Sequence, residues 1–123
     1  MNVLSTVHLR HNRIMLALHK VQEGNGRPLL LLHGLGEDAR RMTTVDIAWA
    51  GPVWALDFTG HGESTVPSGG GYSCEILMAD VDIALRHTGE TTILGRGLGV
   101  EGPRAQRVVL ADTQRVAVGR AQQ

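Results

Sequence analysis

Three short aliphatic runs, each ending in a glycine-rich turn, set the strongest limit on what this chain can fold into. Leu29-Leu30-Leu31-Leu32 runs into His33-Gly34-Leu35-Gly36, Val53 to Phe58 into Thr59-Gly60-His61-Gly62, and Thr91 to Leu94 into Gly95-Arg96-Gly97-Leu98-Gly99. A continuous apolar run bounded by turn residues suits a strand buried on both faces, as in parallel sheets. Between these runs the period changes. Glu37 to Trp49 reads as an imperfect amphipathic helix, with Met42, Val45 and Trp49 available for one face. Ile76, Leu77, Asp80, Val81, Ala84 and Leu85 give three/four spacing for a second helix over Ser73 to His87. Strands alternating with helices predict an α/β fold with a mostly parallel sheet and flanking helices. In such sheets function gathers in the loops at the carboxyl ends of the strands, where all three glycine-rich stretches fall.

The flanks add a little. Val3 to Leu9 and Arg13 to Val21, separated by His11-Asn12, read as an N-terminal β-hairpin, and Gly24-Asn25-Gly26 as the turn after it. Pro67-Ser68-Gly69-Gly70-Gly71 is a flexible loop by composition, and Val108 to Ala111 is a candidate fourth aliphatic strand. Residues 1–99 form one organised region. Residues 100–123 read as a short divergent tail with no separate domain.

Composition excludes several functions. Twelve Lys plus Arg balance twelve Asp plus Glu, so no basic field is on offer to nucleic acid or an anionic membrane. Aromatic residues make up only 3%, too few for base-stacking platforms. Leu29 to Leu32 is the longest aliphatic run and far too short to span a bilayer, and Met1 to Arg10 lacks the pattern of a signal peptide. A cytoplasmic location is the default expectation. Cys74 stands alone and reads as a small apolar residue on a helix. His33 and His61 have no partner at metal-ligand spacing, so no metal is expected, and nothing calls for a cofactor. His8, His11, His19 and His87 read as ordinary surface or edge residues.

Two of the turns carry a more specific pattern. Asp57-Phe58-Thr59-Gly60-His61-Gly62-Glu63-Ser64 and the strand ending in His33-Gly34 resemble, in order and context, the D-x-x-G-H-G-x-S and H-G turns of α/β hydrolases. Thr59 stands where many of those proteins have arginine. The resemblance covers roughly residues 1–99 and implies an incomplete α/β-hydrolase fold. It also implies that the Leu35 N–H is one oxyanion donor. His33, Gly34, Asp57, Gly60, His61, Gly62 and Ser64 read as structural turn and cap residues, because short polar side chains satisfy nearby backbone groups.

The third turn falls where the resemblance places the nucleophile elbow, G-x-S-x-G. Gly95 and Gly99 match its flanking glycines, and Gly97 occupies the nucleophile position. Glycine offers no oxygen, sulfur or carboxylate, so no acyl-enzyme forms there. Leu98 would still present the second oxyanion donor. The same stretch also spells G-x-G-x-x-G from Gly97 to Gly102, but a dinucleotide fingerprint should open the first βαβ unit, and here Pro103 follows it.

Only Val100 to Arg107 separate Gly99 from Val108, whereas a parallel crossover needs a dozen or more residues. Val108 to Asp112 resembles the next parallel strand of the hydrolases, reached after an internal deletion. Asp112 is then the candidate acid of the tail, and no histidine follows His87. The expectation is the scaffold of a small-molecule, ester-type hydrolase, catalytically inactive as the chain stands. The alternatives are a non-catalytic small-ligand binder and a truncated gene product without independent function. Without the crossover helix one sheet face and the edge at Thr91 to Leu94 are expected to be bare, favouring self-association and weakly cooperative unfolding.

Overall fold

The structure, a computed structural model, describes residues 3–42, 48–69, 73–96 and 108–112, with Arg96 and 108–112 described by backbone alone. The N-terminal hairpin forms from β1 (Ser5–His11) and β2 (Ile14–Gln22), paired antiparallel with Thr6 opposite His19. Asn12 makes the tight turn at φ 56°, a conformation in which asparagine is tolerated. The three aliphatic runs become β3 (Leu29–Leu32), β4 (Val53–Leu56) and β5 (Thr92–Arg96). A last strand, β6 (Val108–Asp112), completes a six-stranded sheet in the order β1-β2-β4-β3-β5-β6.

The sheet is mixed. β3 pairs parallel with both β4 and β5, while β2 and β6 run antiparallel to their neighbours. β1, β3, β4 and β5 therefore share one direction. The antiparallel course of β6 corrects the expectation of a further parallel strand. Its reason is length: residues 97–107 leave eleven residues between the two strands, and a strand that folds back needs no crossover. β6 also covers the edge of β5 in continuous register from Thr92↔Asp112 to Arg96↔Val108, so the edge expected to be open is paired. Nor is the sheet bare beneath the third turn. Ile93 and Leu94 point to opposite faces and both are buried.

Alternation along the strands divides the core in two. Leu29 and Leu31 of β3, Val53 and Ala55 of β4, Val21 and Leu94 pack on one face with Trp49 and with Ala39 and Met42 of the short helix α1 (Ala39–Met42). Leu30, Leu56, Leu16, Leu18 and Phe58 pack on the other, under Leu77 and Ala84 of α2 (Cys74–Thr88). Leucines buried on each face of β3 account for its unbroken apolar sequence.

α2 follows its sequence closely. The Ser73 side chain caps it by accepting from the Ile76 N–H, and Gly89 at φ 82° ends it, its N–H donating to the Leu85 carbonyl. Cys74 is exposed in the first turn rather than packed as a small apolar residue. Of the predicted helix Glu37 to Trp49, the structure describes α1, and residues 43–47 lie outside the described residues. No helix among the described residues is long and apolar enough to cross a membrane.

Candidate functional site

The carboxyl ends of β3 and β4 lie side by side, because Leu32 and Leu56 are register partners. The turns that leave them, residues 33–37 and 57–65, consequently meet. Their polar side chains tie the two together.

His33 sits completely buried at the end of β3, and the Phe58 N–H donates to its Nε2 at 3.1 Å. That fixes the tautomer: Nδ1 carries the proton and donates to the Gly34 carbonyl at 2.7 Å. Burial holds the His33 pKa below the ordinary histidine value, in keeping with a neutral ring. His61 works the same way from the other turn. Its Nε2 accepts from the Gly36 N–H at 3.1 Å, so its Nδ1 donates to the Thr59 carbonyl at 3.0 Å. The two rings stack at a tilt, with centroids 4.9 Å apart. Both ring nitrogens of each histidine are thus bonded to backbone, and among the described residues no group of three or more His, Cys, Asp or Glu could hold a metal ion.

The first turn is finished by Glu37, whose Oε1 accepts from the Gly34 N–H and whose own N–H donates to the Gly34 carbonyl. The amides of Gly34, Gly36 and Glu37 are thus used. That of Leu35, between them, has no hydrogen-bond partner among the described residues, and the Leu35 side chain is exposed.

Asp57 organises the second turn. Its Oδ1 accepts from the Ala39 N–H at 2.8 Å, at the start of α1, and its Oδ2 accepts from the Glu63 N–H at 3.0 Å and from His19 Nε2 at 2.7 Å. Burial alone would raise the Asp57 pKa, but the His19 hydrogen bond and the two backbone donors outweigh it and hold the carboxylate below its ordinary range. Ser64 accepts from the Ala17 N–H at 2.9 Å and donates to the Asp57 carbonyl, stitching the turn to β2. Gly60 and Gly62 both adopt positive φ, at 82° and 51°. At Gly62 a Cβ would also lie 2.2 Å from Asp57 Oδ1, so only glycine leaves room for the carboxylate.

Two residues of this site were missed as such in the sequence. His19 is no surface residue: it is buried beneath Asp57 and also hydrogen-bonds Thr6 Oγ1 through Nδ1 at 2.8 Å. β2 lies between β1 and β4 and is buried at four successive residues, Leu16 to His19, so both of its faces are covered, which a hairpin read in isolation does not reveal. Asp80 fell on the apolar stripe of α2 and is buried there, accepting from the Thr59 N–H at 2.7 Å and the Thr59 hydroxyl at 2.9 Å. Thr59 therefore ties the turn to α2 through Asp80. Burial raises the Asp80 pKa despite these bonds. Of the other histidines, His87 packs edge-on against Trp54.

The third turn begins beside the first, since Gly95 is the register partner of Leu32, one residue before His33. Gly97, Leu98 and Gly99 lie outside the described residues. Asp112 ends β6 opposite Thr92, at the amino end of β5 and away from these turns.

Neither a protein-family model nor a curated protein matches the chain. Solved structures do. The thioesterase domain of the curacin biosynthetic pathway superposes with a TM-score of 0.67 at 20% identity, over 77% of this chain and 36% of that one. A hypothetical protein from Pseudomonas aeruginosa PAO1 gives 0.65 at 28% identity, over 76% and 35%. A protein from Nostoc sp PCC 7120 assigned to the α/β hydrolases gives 0.62 at 24% identity, over 75% and 34%. The fold is α/β-hydrolase-like. The chain spans about a third of the length of these hydrolase-like structures, so the fold is present in part.

Proposed function

We propose that this chain is the scaffold of a small-molecule, ester-type hydrolase that binds a polarised carbonyl without turning it over by covalent catalysis at its third turn. The observation that carries the reading is the Leu35 amide, which has no hydrogen-bond partner among the described residues. The amides of Gly34, Gly36 and Glu37 around it are fixed internally, and the turn is braced by His61. A fixed N–H that is spared from internal hydrogen bonding suits an oxyanion donor. The nucleophile position of the same pattern holds Gly97, which supplies no attacking atom. In triad enzymes, loss of the serine leaves a modest residual rate from binding and the oxyanion hole. The corresponding role for this protein is ligand binding with at most such a rate.

The test combines steady-state hydrolysis of p-nitrophenyl esters of short acids with amide chemical shifts. Turnover is expected to equal that of a denatured control, and Gly97→Ser alone is expected to restore none. A short alkylphosphonate, which presents anionic oxygens to the site, is expected to shift the Leu35 amide resonance. Turnover well above the control, or a Leu35 amide indifferent to phosphonate, would sink the reading.

A further inference from the structure

We propose that Thr6 is an acyl-acceptor hydroxyl, activated by His19 and Asp57 and reactive towards activated esters. This site is separate from the third turn. Thr6 and His19 are direct cross-strand partners on β1 and β2, so their side chains project from the same face. Asp57 approaches His19 from the end of β4, and the three form one chain: Thr6 Oγ1 to His19 Nδ1 at 2.8 Å, His19 Nε2 to Asp57 Oδ2 at 2.7 Å.

The proton positions follow from the acid. Asp57 is ionised and accepts only, so Nε2 carries the proton of the imidazole and donates it. Nδ1 then holds a lone pair, and the Thr6 hydroxyl donates to it. A hydroxyl donating to an imidazole whose other nitrogen is held by a buried carboxylate is the general arrangement of an activated oxygen nucleophile. Burial favours it further. His19 and Asp57 are 3% and 2% exposed, so their electrostatic coupling is little screened. Thr6 alone is half-buried, on the strand that ends the sheet, with exposed Ser5 and His8 close by along the strand. The residue that carries the hydroxyl is partly open to solvent, while the base and the acid are covered.

With an aryl ester, Thr6 Oγ1 attacks the carbonyl carbon and its proton passes to His19 Nδ1. The Asp57 carboxylate stabilises the resulting imidazolium through the Nε2–H. The carbon–oxygen bond to the phenolate breaks, the phenolate leaves with the electron pair, and the imidazolium returns its proton to the phenolate or to water. The products are acyl-Thr6 and a phenol, and no further reactant is needed.

The experiment treats the full chain, carrying Cys74→Ala to remove the exposed thiol, with p-nitrophenyl acetate and locates acetyl groups by peptide mass spectrometry. Ser5 is an internal control, an exposed hydroxyl on the opposite face of the same strand with no imidazole partner. Acetylation of Thr6 is expected to run roughly 100-fold faster than that of Ser5, the scale of general-base assistance. Thr6→Ser should keep the label and Thr6→Val should lose it, both with unchanged circular dichroism. Equal labelling of Ser5 and Thr6, or a Thr6→Ser chain that takes no label, would overturn the proposal. Stoichiometric labelling is distinct from the steady-state turnover that tests the hydrolase scaffold, so turnover that survives Thr6→Val would count against that reading alone.

Discussion

Replacing Gly62 with alanine isolates what the Asp57 carboxylate contributes to the turn. Two costs arise. At φ 51° an alanine Cβ meets the backbone, worth about 1–2 kcal/mol. The larger cost is steric, because the added carbon would lie 2.2 Å from Asp57 Oδ1 and 2.3 Å from its Cγ. The carboxylate must move, and each of its bonds from His19, Ala39 and Glu63 is a charge-assisted one in a buried site. Losing one such bond costs about 1.5–3 kcal/mol. The sum is roughly 2.5–5 kcal/mol, a large share of the 5–15 kcal/mol typical of a folded domain. Gly36 is the control. It has φ 81° but nothing within 4 Å of an added Cβ, so Gly36→Ala carries the backbone cost alone. Urea unfolding of both variants by circular dichroism gives the comparison. Gly62→Ala should be the less stable by about 1.5–3 kcal/mol. Equal midpoints would refute the idea that Gly62 exists to make room for the carboxylate.

Three further outcomes follow from the same network. Asp80→Asn should match or exceed the parent in stability at neutral pH. Its carbonyl can accept from the Thr59 N–H, and its amide can donate to the Thr59 hydroxyl, while the buried charge is gone. Asp80→Ala should instead cost about 1–3 kcal/mol for each Thr59 group left unpaired, read from urea midpoints. In acid the two aspartates pull in opposite directions. Asp57, with its folded pKa lowered, contributes stability that is present above the ordinary carboxylate pKa and lost as pH falls through the lowered value. Asp80, with its folded pKa raised, favours the fold when protonated, and this contribution is lost as pH rises from the ordinary carboxylate pKa through the raised value. A pH series of unfolding midpoints should therefore show Asp80→Asn flattening only the upper limb. Ser64→Ala removes the bonds to the Ala17 N–H and the Asp57 carbonyl at a buried position and should cost about 2–3 kcal/mol by the same assay.

The elements were legible because their periods are clean. Leu29 to Leu32 has leucine at each position because both sheet faces are covered, and Ser73 with Gly89 marks the ends of α2 in the sequence itself. The turns were legible as a pattern of glycines and short polar residues, and Asp57, His61 and Ser64 do satisfy local backbone. What the sequence could not disclose were pairings set by sheet order. His19 is an ordinary hairpin residue until β4 is placed against β2, which brings Asp57 onto its ring. Asp80 broke the apolar stripe of its helix and could have been flagged for that, since a buried carboxylate needs donors. Its partner, Thr59, lies 21 residues away and is known only from packing.

The direction of β6 decides where the tail can act, and it can be measured. A parallel strand would have carried Asp112 towards the third turn, where an acid could assist chemistry. In the observed register Asp112 is opposite Thr92, and Arg96, nearest the turn, is opposite Val108. Asp112 is thus four positions from Arg96 along the ladder, roughly 13 Å at the usual strand rise. Cysteines test this in a Cys74→Ser background. Directly opposed Cα atoms lie about 4.5–5.5 Å apart, within reach of a disulfide, whereas 13 Å is not. Arg96→Cys with Val108→Cys should crosslink under mild oxidation, and Arg96→Cys with Asp112→Cys should stay reduced. The reverse result would establish a parallel β6, return Asp112 to the neighbourhood of Gly97, and reopen an acid's role beside the hydrolase-like turns.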